Sequence, residues 1–301
     1  NTQVTRHKLD SLKVKSAVPQ WILNDSSFGP YAQGLERQLS VALNLDPSNS
    51  LKRLCFFTKM LRQDEIEQAL RGASENLSVA SLFSTDAKYD APSLTIYVPM
   101  IIFNWTFPAD SVPFVVHAAR YAVRVFKALA PMLRQNHEQP NSSEVYEGYH
   151  ERLNDTTRCL VEQYENASRN LKSAFLNKMT DRTRLGHALL DQTTALMQAY
   201  SVFKENLRAR RFVNSNFRLA GLPHLTPEQL FFVAYGQDNC EVSDTVRRRR
   251  RWHEHGELPP EDRVNIPLMQ FEEFARVFDC NDTASMATNR RCPMAHIATI
   301  Y

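Results

Sequence analysis

Residues 224–235 read "HLTPEQLFFVAY", and this stretch announces a helix from its first turn. Thr226 supplies a side-chain acceptor at the N-cap, and Pro227 takes the first helical position, where no N–H is needed. Gln229 stands three residues after the cap, where its amide can reach back. The block of Leu, Phe and Tyr that follows has to be packed against something. Residues 267–280, "PLMQFEEFARVFDC", place Phe271, Phe274, Ala275 and Phe278 on one face and read as another packed helix. From Tyr149, the residues Leu153, Leu160, Tyr164, Leu171 and Phe175 recur in steps of four and seven and lay one stripe along a helix. Residues 114–126, "FVVHAARYAVRVF", are Ala-rich, free of Gly and Pro and apolar on most sides, as in a helix buried in a large protein. Strand character is concentrated in residues 94–107, while "RQNHEQPNSSE" (134–144) and "DTVRRRRRWHEHGELPPEDR" (244–263) read as polar loops.

A chain of 301 residues that is 43% hydrophobic and 23% charged can bury a substantial core, which excludes disorder as its main state. The net charge of +3 is small, and much of the excess comes from the arginine run 247–251, so the body carries no nucleic-acid footprint. No stretch reaches the roughly 18 uncharged apolar residues of a spanning helix; the nearest, 94–107, contains Pro99. The first residues, "NTQVTRHKLD", show neither a signal peptide nor an initiator Met, so a processed chain or part of a longer precursor is expected.

Two features speak to the compartment. Asn-x-Ser/Thr sequons occur at Asn24, Asn76, Asn104, Asn141, Asn154, Asn166 and Asn281. The five cysteines, Cys55, Cys159, Cys240, Cys280 and Cys292, form no CxxC pair and no metal-ligand spacing. Together they predict disulfide half-cystines in a secreted or extracellular glycoprotein, or in the ectodomain of a membrane-anchored precursor. Five is odd, so at least one cysteine is free or bonded to another chain.

The C-terminal third resembles the neprilysin and endothelin-converting-enzyme family of zinc metallopeptidases. The residues that carry the resemblance are "GLPHLTPEQLFFVAYGQDNC" (221–240), "RVNIPLMQFEEFARVFDC" (263–280) and "NRRC" (289–292). Upstream, "RCLVEQY" (158–164) is similar to the family's Cys-containing segment after the zinc helix, and "TRLGHALLDQTTALMQAY" (183–200) to its GENxAD helix. "DAKY" (86–89) and "TIYVPMII" (95–102) are similar to its substrate strand and the strand that follows, and "VPQWIL" (18–23) to a segment further upstream. The likeness covers the C-terminal half of such a peptidase.

What the resemblance implies is a mainly α, neprilysin-like (thermolysin-type) catalytic lobe with a small β-sheet and a helical bundle. Residues 1–80 would be a helical linker region belonging to the second lobe, and 81–301 a degenerate metallopeptidase lobe. It also implies that Cys159 pairs with Cys292, and that Cys240 and Cys280 bond an N-terminal polypeptide of the same precursor. Cys55 has no evident counterpart.

The family's reaction needs HExxH on one helix, with two His ligands sharing a face and a Glu taking the proton of the metal-bound water. By resemblance, that place is held here by Ala119, Arg120, Tyr121, Ala122 and Val123. Ala119 and Val123 have no lone pair to donate, and Arg120 is a permanent cation that accepts no proton and repels zinc. Starting the motif at His117 instead puts Ala118 at the base and Tyr121 at the second ligand. In the second helix His187 stands where the family has its ligand Glu, Ala188 replaces the following Asn, and Asp191 matches the family's Asp. Eight glycines are fewer than half the number that an average usage of roughly 7% would give, and Gly186 is a retained exception in the second motif region.

These residues predict no catalytic residue, no metal and no cofactor. His117 alone on an apolar helix reads as a hydrogen-bonded core histidine. The cleft remnants are Asp86 and Ala87 on the strand where the family lays its substrate, and Arg263 where it has a substrate-binding Arg. The expected role is that of an inactive homologue, binding a peptide or protein ligand or serving as a subunit of a larger extracellular assembly. Two competing classes are an active zinc peptidase with a displaced site built from His187, His253 or His255, and a heparin- or glycan-binding module centred on the arginine run. That run also reads as a site for a basic-specific protease, a patch for acidic membranes, or a solvated loop.

Overall fold

The computed structural model describes residues 10–16, 25–44, 51–52, 55–56, 58–59, 86–91, 93–99, 113–135, 144–170, 181–209, 218–242, 244–281, 284, 286 and 291–294. The chain divides into two compact units, residues 12–105, and residues 106–301 together with 1–11.

The smaller unit holds strand β1 (Lys13–Ser16), helix α1 (Asp25–Leu43), strand β2 (Lys88–Asp90) and strand β3 (Thr95–Val98). The strands form one sheet in the order β1-β3-β2, with β1 parallel and β2 antiparallel to β3. Ile96 is opposite both Val14 and Tyr89. The central strand, "TIYV", is buried along its whole length, as expected of β-branched and aromatic residues flanked by two partners. The strand expected over 94–107 is therefore present from Thr95 to Val98; residues 100–107 lie outside those described.

The larger unit is helical. Helix α2 runs without a break through Phe114–His117, Ala118–Ala122 and Val123–Gln135, its middle piece being π-helical. It is followed by α3 (Glu144–Asn170), α4 (Arg182–Ala209), α5 (Pro227–Asp238), α6 (Thr245–His255), α7 (Pro260–Gln270) and α8 (Glu272–Val277). The start of α5 is the capping box read from the sequence: Gln229 N–H donates to Thr226 Oγ1 at 3.1 Å, and Thr226 N–H donates to Gln229 Oε1 at 2.9 Å.

Residues 244–263 are not the polar loop expected of them. Asp244 accepts from Arg247 N–H at 2.7 Å and caps α6, Trp252 anchors it in the core, and Gly256 ends it in the left-handed region at φ 68°. Residues 260–263 already belong to α7. The helix expected through 267–280 is divided at Phe271, whose extended backbone separates α7 from α8.

Helix α4 is the axis of this unit, packing against α2, α3 and α7. One apolar cluster joins Ala119 and Val123 of α2 to Ala195, Leu196, Ala199, Tyr200 and Phe203 of α4 and to the Phe231, Phe232 and Tyr235 block of α5. Its aromatic rings stack, with Tyr200 and Phe232 centroids 5.1 Å apart and Phe203 and Phe231 5.2 Å apart. A second cluster joins Leu160 and Tyr164 of α3 to Leu185, Leu189 and Leu190 of α4, with Trp252 and Ile266. The Cys159–Cys292 disulfide closes this cluster, as the resemblance implied. Around it, Thr156 Oγ1 donates to the Pro293 carbonyl at 3.0 Å and Cys292 N–H donates to Gln270 Oε1 at 2.8 Å.

Candidate functional site

The π-helical segment Ala118–Ala122 carries most of the residues that the resemblance sets against the zinc motif. Ala119 is 1% exposed and Val123 4%, and both are spent on the packed cluster against α4 and α5. Arg120 and Arg124, four residues apart, converge on Asp238 at the C-terminal end of α5. Arg124 holds Asp238 Oδ2 through Nε at 3.0 Å and Nη2 at 2.9 Å, while Arg120 Nε stands 3.2 Å from Oδ1 as an ion pair without hydrogen-bond alignment. Each side chain is only partly exposed, which gives the triad more weight than a surface pair. His117 is half-buried, its ring 5.1 Å from that of Tyr121.

A cavity of about 520 Å³ opens beside this helix, large enough for a small ligand. Its walls include Lys127 of α2, Arg184, His187 and Asp191 of α4, Glu257 after α6 and Arg263 of α7. Asp181 fixes the first turn of α4 by accepting from Arg184 N–H at 2.9 Å, which sets the azimuth of His187 and Asp191. The Arg184 side chain donates to the His253 carbonyl at 3.1 Å and lies 5.4 Å over the Trp252 ring. Gly256 is needed twice here: by its left-handed backbone, and because a Cβ would come 3.0 Å from Arg184 Nε. Arg263 is set by its own backbone. The buried Tyr235 hydroxyl donates to the Arg263 carbonyl at 2.5 Å and accepts from Gln192 Nε2 at 3.0 Å, tying α4, α5 and α7 together. Burial pushes the Tyr235 phenol up, so it stays a donor. Arg263 Nη2 also stands 3.4 Å from Glu241 Oε2.

The structure thus brings His187, Asp191 and Arg263 to one cavity and puts Ala119 and Val123 in the adjacent core. Asp86, exposed, and Ala87, half-buried, precede β2 in the other unit. Lys127, Arg184, Glu257 and Asp238 were not picked out from the sequence. Lys127 was within reach, since it continues the four-residue recurrence Ala119, Val123, Lys127.

The residues that the resemblance sets against the zinc motif do not suit a zinc ion: two have no lone pair, one is a cation held by Asp238, and Lys127 adds a positive charge nearby. Among the described residues, no three of His, Cys, Asp and Glu gather closely enough to hold a metal. His253 is exposed on α6, and the His255 side chain lies outside the described residues.

Cys240 is exposed and Cys280 half-buried, each a free thiol, as is the exposed Cys55. Asn154, Asn166 and Asn281 are exposed; Asn24, Asn76, Asn104 and Asn141 lie outside the described residues. No helix among the described residues is long and apolar enough to cross a membrane.

A model of peptidase family M13 matches residues 135–294. The chain is 24% identical to Neprilysin-21 of Caenorhabditis elegans over 293 residues, 95% of this chain and 36% of that protein. It is 30% identical to Neprilysin-3 of Drosophila melanogaster over 146 residues, 47% of this chain and 17% of that protein. A solved chain of the Haemonchus galactose containing glycoprotein complex shares its fold with a TM-score of 0.66 at 18% identity, over 96% of this chain and 46% of that one. The chain therefore spans less than half the length of these relatives.

Proposed function

Because the chain belongs to peptidase family M13, whose model matches more than half of it, we propose that it is a catalytically inactive homologue. On this proposal it is a secreted glycoprotein that acts by binding, or as a structural subunit of an extracellular assembly, with residues 81–301 as the degenerate lobe and 1–80 as part of the second.

The observation that carries this is the arrangement around Arg120. A group that should abstract a proton is replaced by a cation paired with Asp238, between two positions whose Ala119 and Val123 serve only to pack. The cavity survives with its walls positioned, which supports a retained capacity to bind a peptide or protein ligand without cleaving it, with Arg263 as a remnant of the substrate cleft. Asp86 and Ala87, in the other unit, keep that role by resemblance alone. The exposed Asn154, Asn166 and Asn281 suit glycosylation, and the disulfide suits an oxidising compartment. The free Cys240 and Cys280 suit a disulfide link to an N-terminal polypeptide. The likeness in fold to a chain from a glycoprotein complex fits a role within an assembly.

Elemental analysis of the purified protein, combined with a peptide-cleavage assay, tests the reading. The expected result is substoichiometric zinc and no cleavage that chelator abolishes. Stoichiometric zinc with chelator-sensitive cleavage would overturn it and favour a displaced metal site.

A further inference from the structure

The five arginines of residues 247–251 do not share one role, because the capped helix α6 sorts them. Arg248 turns inward and pairs with Glu261 at 2.5 Å; Arg251 pairs with Glu241 at 2.6 Å and stands 3.6 Å from Glu257. These two fasten α6 to the segments before and after it. Arg247 and Arg249 are exposed, and the described residues give their guanidinium groups no partner. Arg250 is 74% exposed and, among the described residues, is held by Glu254 alone, one helical turn away, at 2.9 Å. Such an exposed pair is weak and exchanges readily for another anion. Folding therefore uses two of the arginines and leaves three directed at solvent.

We propose that this outer arc of α6 is a binding surface for a sulfated glycan chain. A guanidinium presents two parallel donors that match a sulfate as they match a phosphate or carboxylate. Arg247 and Arg250 are separated by about 4.5 Å along the helix axis and lie on successive turns of one face, while Arg249 stands about a quarter-turn beyond Arg250, so the three span the solvent-facing half of the helix. The helix is held in place before any ligand arrives, by the Asp244 cap, the buried Trp252 and the two inward ion pairs, so binding orders only side chains. The carboxylates that share the arc are Asp244, occupied by the Arg247 backbone N–H, and Glu254.

A lipid surface fits less well. Val242 and Val246 are the exposed large apolar residues nearby, too little apolar area to enter a bilayer interface. A net charge of +3 over 301 residues likewise gives no broad track for nucleic acid. The surface is independent of the cavity and of whether that cavity is catalytic.

The test is salt-gradient elution of the whole chain from immobilised heparin, backed by dissociation constants for soluble heparin and fully desulfated heparin. The expected result is retention above physiological salt, lost on desulfation, with R247Q/R249Q/R250Q binding about tenfold more weakly at an unchanged melting temperature. A control, R152Q/R208Q/R218Q, removes the same charge from exposed positions elsewhere and should keep retention. R248Q/R251Q should keep retention but melt earlier. The proposal falls if the wild-type chain passes through heparin at physiological salt, if the control loses as much as the arc variant, or if phosphatidylserine vesicles bind it more tightly than heparin does.

Discussion

Gly186 of α4 packs closely against Thr157 and Val161 of α3, and replacing it with Ala tests that packing. A Cβ built at this position falls 2.1 Å from Thr157 Cγ2 and 3.3 Å from Val161 Cγ2. Thr157 cannot simply turn away, because its hydroxyl donates to the Leu153 carbonyl at 2.6 Å and its β-branched side chain is stiff at χ1. Two effects of opposite sign compete. Gly to Ala inside a helix gains about 1 kcal/mol from propensity and chain entropy. Overpacking a core site by one carbon costs about 1 to 3 kcal/mol, and a separation of 2.1 Å places this site at the upper end. The net expectation for Gly186→Ala is a loss of about 2 kcal/mol, or about 3 °C in melting temperature for a chain of this size, measured by calorimetry on the oxidised protein. The companion Thr157→Ser removes the offending methyl and keeps the hydroxyl, so the double variant should regain most of that loss, a coupling of about 2 kcal/mol. A single Gly186→Ala variant that melts at or above the wild-type temperature would refute the close approach, since propensity alone would then have decided the sign.

The buried Asp262 carboxyl, which accepts from Tyr164 Oη at 2.9 Å, is raised from 3.8 to about 6, chiefly by desolvation and partly by neighbouring Glu261, while the Tyr164 hydrogen bond and Arg248 oppose the rise. A raised folded value means its favourable contribution is complete below pH of about 4 and is lost as pH rises through 6, about 3 kcal/mol in all. Asp262→Asn should therefore be more stable than wild type at pH 7.5 and gain less at pH 5; an advantage that does not change with pH would refute the burial argument. Removing the Cys159–Cys292 link, which closes a span of 133 residues, should cost about 5 kcal/mol in Cys159→Ser and lower the melting temperature in non-reducing buffer. An unchanged melting curve would show that the bridge does not constrain the unfolded chain.

How far the fold could be read in the sequence depended on how local each cause was. The start of α5 was legible because Thr226, Pro227 and Gln229 act within one turn. The arginine helix is masked by its charge, since a run of five arginines reads as a solvated loop although the cap Asp244 and the stop Gly256 both stand in the sequence. The break at Phe271 has no such marker. Its extended backbone brings the ring to 5.1 Å from Tyr200 and 5.9 Å from Phe232, so the interruption is decided by packing against distant residues. The same distinction applies to the site. His187, Asp191 and Lys127 follow helical spacing, whereas Asp238 reaches Arg120 and Arg124 from more than a hundred residues away, and only the i,i+4 arginine pair hinted that a shared anion was needed.

The charges around the cavity bear on whether this region would receive an ion. Lys127, Arg184 and Arg263 face Asp181, Asp191 and Glu257, three fixed cations against three carboxylates, with His187 among them. In the family's chemistry a divalent cation is the counter-charge that lets acidic ligands sit together in a partly desolvated cleft. Here amino-acid side chains supply that counter-charge. A divalent ion added to this set would bring two positive charges with no matching carboxylate, next to Lys127, whose ammonium it would repel. Arg120 and Arg124 share the single carboxylate of Asp238 outside the cavity, so the triad keeps a net positive charge that further disfavours an added cation. An Asp238→Asn substitution would release those two cations toward the cavity side of α2 and make the region still less receptive to a metal. The charge pattern thus favours a ligand that carries both signs, such as a peptide segment with charged side chains, over a bare cation.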